Sequence, residues 1–255
     1  MGNSNYALNA ELKTLYNIKL NVQKGSVICI AGRADLRKTK IVKMLAGVIK
    51  PEEGFIDFGG LNWLNDDVDI KRKVSFVYDH INFSLQAKPE RIVKDIMAVE
   101  DNFDYQYFTE EMDKIHLDKK IRVNKYSYDM NVILKVLIAI SRRPEIIVLD
   151  EPFDNIDFEY RDILLNLLKE FMQEENHTII FTHDAYNDSR ENDGLKMNSY
   201  NDFNYKLKEF CDEIIVLETE EAIYNKQNEK DNDFKADDFT KEILDTEYKV
   251  KKQKP

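Results

Sequence analysis

Residues 146–152 read IIVLDEP, an apolar run that ends in two adjacent carboxylates, Asp150 and Glu151. The apolar part has the pattern of a strand buried on both faces. Open α/β sheets bind ligands beyond the carboxyl ends of such strands. Two neighbouring acids there are costly unless a cation or a reacting group faces them. They suit hydrolysis of a phosphate anhydride, with Asp150 holding Mg²⁺ and Glu151 polarising a water. The same residues also read as a strand end followed by an acidic turn, DEPFDNID. Two further segments stand in order with this one: GRADLRKT at 32–39 follows a buried strand, and FTH at 181–183 ends another.

The elements that must position these residues follow from hydrophobic periodicity. LKTLYNIKLNVQKGSVICIAG predicts an outer antiparallel strand, a turn at Lys24–Gly25 and a buried strand at Val27–Ala31. Ile41, Val42, Leu45, Ala46 and Ile49 are spaced as on a helix, stopped by Pro51. GFIDFGG and KVSFVY are short strands. From about Ile81 to Lys125 strand character is lost, and AKPERIVKDIMAVE and FTEEMDKIHL predict two short amphipathic helices. Met130–Ser141 is a strongly apolar helix, and EYRDILLNLLKEFMQEE a long amphipathic one. HTIIFTH is a second buried strand, ending at His183. Residues 184–205, rich in Asn and Asp, predict an inserted polar loop before a last strand, DEIIVLE. Beyond about Asn225 the chain is a charged tail. Strands alternating with helices imply a mostly parallel sheet covered on both faces.

A formal net charge of −11 over 255 residues argues against a nucleic-acid backbone as the main partner. Cys29 and Cys211 are far apart in sequence and lack metal-ligand spacing, the usage of a reducing compartment. The opening MGNSNYALNAELK has no secretory pattern, and Gly2 lacks the Ser or Thr a myristoylation signal needs. No apolar run is long enough to span a bilayer, so no direct membrane insertion is expected and any link to a membrane goes through a partner.

From its start to about Asn225 the chain resembles the ATP-binding subunit of an ABC transporter, of the small bacterial type with one nucleotide-binding domain per chain. The resemblance takes in LAGVIKPEEGFIDFGG, SRRPEIIVLDEPFDNID and LKEFCDEIIVLE, in order and spacing. It implies a P-loop NTPase fold of the ABC type: a mostly parallel core sheet, an N-terminal antiparallel β subdomain and a small helical subdomain at about 81–141. A single domain over 1–225 and a tail at 226–255 follow. It also implies ATP and Mg²⁺ as cofactors. GRADLRKT lies where the P-loop pattern belongs, so Gly32 would make the tight turn, Lys38 bind phosphate and Thr39 ligate Mg²⁺. Arg37 and Asp35 replace glycines that let backbone N–H groups approach phosphate. A carboxylate about 5 Å from a phosphate charge is repelled by roughly 3 kcal/mol at an effective dielectric of about 20.

The family's signature segment falls at 126–130, YSYDM, where Ser127 matches while Tyr128 and Asp129 replace glycines. There a helix start should favour an anion, and Asp129 opposes it. By the same resemblance Asp79 stands at the glutamine that reaches the metal, Glu151 is the general base and His183 contacts the γ-phosphate. Tyr6 is the candidate for stacking on adenine, with Tyr16 a poorer one. Asp79 also reads as an acidic loop touching only a partner, and Tyr6 as an edge tyrosine. His80, His116 and His177 match nothing. The implied partners are transmembrane transporter subunits and a second ATP-binding subunit, in a homo- or heterodimer, at the cytoplasmic face of the cell membrane. Expected is a subunit of an exporter or resistance transporter, impaired in hydrolysis; the alternative is a catalytically inactive adaptor on the same fold.

Overall fold

The computed structural model describes residues 6–12, 18–32, 36–80, 83–173, 177–184, 203–217 and 223–227. Chain order gives β1 (Tyr6–Leu12), β2 (Ile18–Gln23), β3 (Val27–Gly32), α1 (Leu36–Leu45), β4 (Gly54–Asp57), α2 (Asp67–Lys73) and β5 (Val74–Val77). Then come α3 (Pro89–Met97), α4 (Tyr105–Lys114), α5 (Tyr128–Ser141), β6 (Ile146–Leu149), α6 (Phe158–Met172) and β7 (Thr178–Asp184). Residues 203–210 form α7, followed by β8 (Glu213–Leu217) and β9 (Ile223–Gln227).

The main sheet has the order β5-β6-β7-β3-β8-β9, parallel throughout except for β9, which pairs antiparallel with β8. The alternation inside β3 and β6 shows why these runs are continuously apolar. Val27, Cys29 and Ala31 of β3, with Ile147 and Leu149 of β6, pack into one core beneath α5 and α6. Ile28 and Ile30, with Ile146 and Val148, pack into a second core with α1 and the small antiparallel sheet β2-β1-β4. Both faces are buried, so every position of the strand must be apolar. α5 sits deep in the first core, with residues 131–141 all buried.

Register brings the strand ends into line. Gly32 of β3 pairs with Asp184 of β7 and Leu217 of β8, while Leu149 pairs with Phe181 and Val77. The carboxyl ends of five strands therefore share one edge, and the residues after Gly32, Leu149 and Phe181 converge there.

Several boundaries differ from the periodicity reading. α1 stops at Leu45, well before Pro51, because Gly47 takes φ +69° and closes the helix. Val48 N–H donates to Lys43 O and Gly47 N–H to Met44 O, the paired bonds of a left-handed glycine stop. α2 has no counterpart in the periodicity reading; its two acids and three bases in DVDIKRK leave Ile70 as the one buried position, too little to show a period. β9 extends the sheet past the point where the charged tail was placed. The polar insertion is shorter at both ends than 184–205: Asp184 closes β7, and Phe203 and Asn204 are buried at the start of α7. Residues 185–202 and the tail beyond 227 lie outside the described residues. Cys29 and Cys211, distant in sequence, meet side chain to side chain in the core. Burial and the neighbouring Cys29 push the Cys211 thiol well up, so it is a poor nucleophile.

Candidate functional site

The edge formed by the strand ends gathers Gly32, Lys38, Thr39, Asp150, Glu151 and His183. Gly32 is fixed by packing: a Cβ there would sit 3.2 Å from Leu217 Cβ on β8. Lys38, in the first turns of α1, is fully buried. Its ammonium donates to Gly32 O at 2.8 Å and pairs with Glu151 Oε1 at 3.1 Å. The cation expected to bind phosphate is thus held by the expected general base. Asp35 and the Arg37 side chain lie outside the described residues.

Asp150 follows β6 and is locked at both ends. Its N–H donates to Val77 O at 2.8 Å, and its Oδ1 accepts from Thr182 Oγ1 at 3.0 Å. The Thr39 hydroxyl bonds the same carboxylate. Thr182 Oγ1 in turn accepts from Glu151 N–H at 2.8 Å, so one hydroxyl fastens both acids to β7. Burial raises the Asp150 pKa, against the hydrogen bonds from Thr182 and Thr39. Burial also raises Glu151, against the Lys38 ammonium. Glu151 has φ +48°, a left-handed conformation costly for any residue with a Cβ and found most often at functional turns.

Two hard oxygen donors, Thr39 and Asp150, touch one another, and Mg²⁺ prefers a few such ligands plus phosphate and water oxygens. Among the described residues no three acids, histidines or cysteines form a complete metal cage. The donor set therefore fits a Mg²⁺ that arrives with a phosphate ligand. Asp79 is exposed in the loop after β5, and its carboxylate acts on Asp150 through space.

His183 closes the set from below. It is buried at 2% exposure, beneath the edge. Its Nδ1 lies 2.8 Å from Asp154 Oδ1 and its Nε2 3.4 Å from Asn204 Oδ1 on α7. The Asp154 contact is an ion pair off the N–H line, since Nδ1 has no in-line acceptor. Burial lowers the His183 pKa, but the Asp154 carboxylate outweighs it and the net shift is upward. Asp154 moves the other way: burial raises it, while His183 and the Asp184 N–H at 2.9 Å bring it down. Phe153 and Phe203, 5.2 Å between ring centroids, hold α7 against this turn.

Ser127 caps α5, its Oγ accepting from Met130 N–H at 3.1 Å. Burial raises the Tyr128 pKa, and the nearby carboxylates, Asp79 first, add to it. Tyr6 is a correction. Its neighbour Ala7 lines a cavity with Ile146 and Thr178, the starts of β6 and β7. That is the opposite end of the sheet from Gly32 and Asp150, because Tyr6 pairs with Gln23 at the far end of the β1–β2 ladder. Tyr6 does not join the site; Tyr16 lies outside the described residues. Thr182, Asp154 and Asn204 were missed as site residues. Thr182 stood inside the quoted FTH, whereas nothing local marks Asn204, which comes from beyond the insertion.

A parallel sheet, a lysine-bearing helix start after a buried strand and a carboxylate pair at the end of a strand one place removed from it define a P-loop nucleotide-binding protein. The family profile described as ABC transporter matches residues 15–154, and the chain belongs to that family. Among its relatives is the energy-coupling factor transporter ATP-binding protein EcfA of Pediococcus pentosaceus, 29% identical over 192 residues, 71% of this chain and 67% of that protein. A second is the sulfate/thiosulfate import ATP-binding protein CysA of Brucella melitensis, 27% identical over 69% of this chain and 51% of that protein. The chain thus spans between half and two thirds of the length of these relatives. A solved ATP binding subunit of an ABC transporter superposes with a TM-score of 0.71 at 14% identity, over 93% of this chain and 99% of that one, and shows the same fold.

Proposed function

We propose that this chain is the ATP-binding subunit of a membrane transporter and that nucleotide binding, with slow hydrolysis, drives partner transmembrane subunits. The observation that carries this is the connected set Lys38–Glu151 and Thr39–Asp150–Thr182 at the strand ends. Lys38 would exchange Glu151 for phosphate, which frees the carboxylate to take a proton from water. Burial keeps Glu151 more basic than an ordinary carboxylate, as a general base requires. Thr39 and Asp150 would hold Mg²⁺, with Asp79 as an outer partner; the ion's chemistry is to neutralise phosphate charge. Ser127 would face a nucleotide held by a second ATP-binding subunit, and His183 would reach the γ-phosphate only after leaving Asn204. Neither relative named above is an exporter by name; the export or resistance direction is drawn from the segment NFDYQYFTEEMDKIHLDKKIRVNKYS, which resembles that of small bacterial ATPases of peptide or antibiotic export. Among the described residues no helix is long and apolar enough to cross a membrane; the proposal places the chain at the inner face of the membrane through its partners.

One observation favours the second reading, a catalytically inactive adaptor: the Lys38 ammonium is already engaged by Gly32 O and Glu151. The test is equilibrium binding of a fluorescent ATP analogue with Mg²⁺, followed by phosphate release. We expect binding that is lost in Lys38→Ala, and turnover near background. Turnover above one per second that Glu151→Gln abolishes would overturn the impaired reading; absence of binding would leave the adaptor.

A further inference from the structure

One buried cation has no role in the site so far described. Lys135 lies in the middle of α5, two turns after Ser127, and is only 7% exposed. Its ammonium donates to Tyr78 O at 2.7 Å and to Asp79 O at 2.6 Å, bonds that span 57 and 56 residues of sequence. Burying an ammonium is costly. A methionine would fill the same space among Val132, Ile138 and Ala139 without that cost, so packing does not explain the lysine. Burial lowers its pKa, while the Asp79 and Asp150 carboxylates support the charge.

The two carbonyls belong to the first residues after β5. β5 itself is tied to the metal-binding strand end, because Asp150 N–H donates to Val77 O. The ammonium therefore joins three parts: α5, the loop that carries Asp79, and the edge that carries Asp150. Asp79 is exposed and has no other described anchor of comparable reach. Tyr78 adds a stacked contact to His80, 5.5 Å between ring centroids, which stiffens the loop beyond the clamp without linking it to α5. Helices are stiff, so a shift at the start of α5 reaches Lys135, about 12 Å along the axis, with little loss.

We propose that Lys135 is a positioning residue of the nucleotide site: its ammonium clamps the Tyr78 and Asp79 peptides to α5, so that Asp79 is presented to the bound metal only while α5 is docked. The proposal rests on the nucleotide-binding reading above. Partners that orient metal ligands from behind commonly contribute tenfold to a hundredfold in metal affinity.

The experiment titrates Mg²⁺ against binding of the fluorescent ATP analogue, with a parallel series in EDTA, for the full chain and five variants. Lys135→Met should raise the Mg²⁺ concentration for half-maximal binding about tenfold and leave metal-free affinity unchanged. Asp79→Ala should do the same, and the double variant should be no worse than either single one. Lys135→Arg, which keeps the donors, should return to within about twofold of the parent. Lys135→Gln, which keeps one donor and disturbs folding least, should lie between and decides the matter if Lys135→Met does not fold. Unaltered Mg²⁺ dependence in the Gln and Met variants, equal loss in EDTA, or additive losses with Asp79→Ala would each overturn the clamp. A parent chain that binds the analogue at no Mg²⁺ concentration removes the nucleotide reading and the proposal together; binding with unchanged metal dependence removes the proposal alone.

Discussion

At the scale of single residues, the site is an arrangement of charges that satisfy one another. The His183–Asp154 pair is its most buried part. Asp154 is held below its ordinary value, so its contribution to stability exists above that value and is lost as the pH falls through the depressed one. His183 is held above its ordinary value, so its contribution exists below about pH 6.5 and is lost as the pH rises through the raised one. Thermal unfolding of the parent should therefore weaken from pH 6 to pH 9 relative to Asp154→Asn, whose profile should be flatter; matching slopes would sink the ion pair. What sequence made legible here was the set of chemical groups: Lys38, Thr39, Asp150 and Glu151 do converge. Their mutual bonds were not, because Thr182, Asp154 and Asn204 reach the site through register and a distant helix. Tyr6 was misplaced for a related reason: distance along the chain before a loop says nothing about which end of a hairpin a residue occupies.

Among elements, the ones with a strong period were read well and the ones set by backbone geometry were not. β3, β6, β7 and α5 have both faces buried, and their continuous apolar runs announced it. The end of α1 was decided by Gly47, where helical spacing ran on to Ile49 and a proline offered a false stop. Gly54 shows the same control more sharply. It has φ +107° at the point where β4 meets β1, and a Cβ there would lie 1.7 Å from Glu11 O. Gly54→Ala should destabilise the chain by about 2–4 kcal/mol, read from the urea midpoint, and should loosen the β1–β4 pairing. A loss under about 0.5 kcal/mol would mean that β4 can shift without consequence.

For the whole molecule, a homodimer with each P-loop facing its partner's YSYDM segment is the arrangement to test. Asp129 would then face phosphate, and a net charge of −11 adds general repulsion between two copies. With the Mg²⁺-bound analogue and 50 mM salt, light scattering should report the 30.1 kDa monomer, and salt that screens the repulsion should favour association. A dimer at micromolar concentration whose strength does not respond to salt would contradict this, and would favour homodimeric sites. The mostly parallel covered sheet was legible at this scale because strand and helix alternate over most of the chain, whereas the division into two sheets and a helical part came only with the family resemblance. The extra strand β9 was hidden by the polar composition of IYNKQ. Finally, the Lys38–Glu151 contact sets an entry condition. Any anion approaching Lys38 must first displace a carboxylate that is already in place. A ligand with one weak charge gains too little to do so, whereas a triphosphate brings several charges to the same spot. If Lys38 does take up phosphate, this contact would act as a threshold, favouring a polyanion over inorganic phosphate.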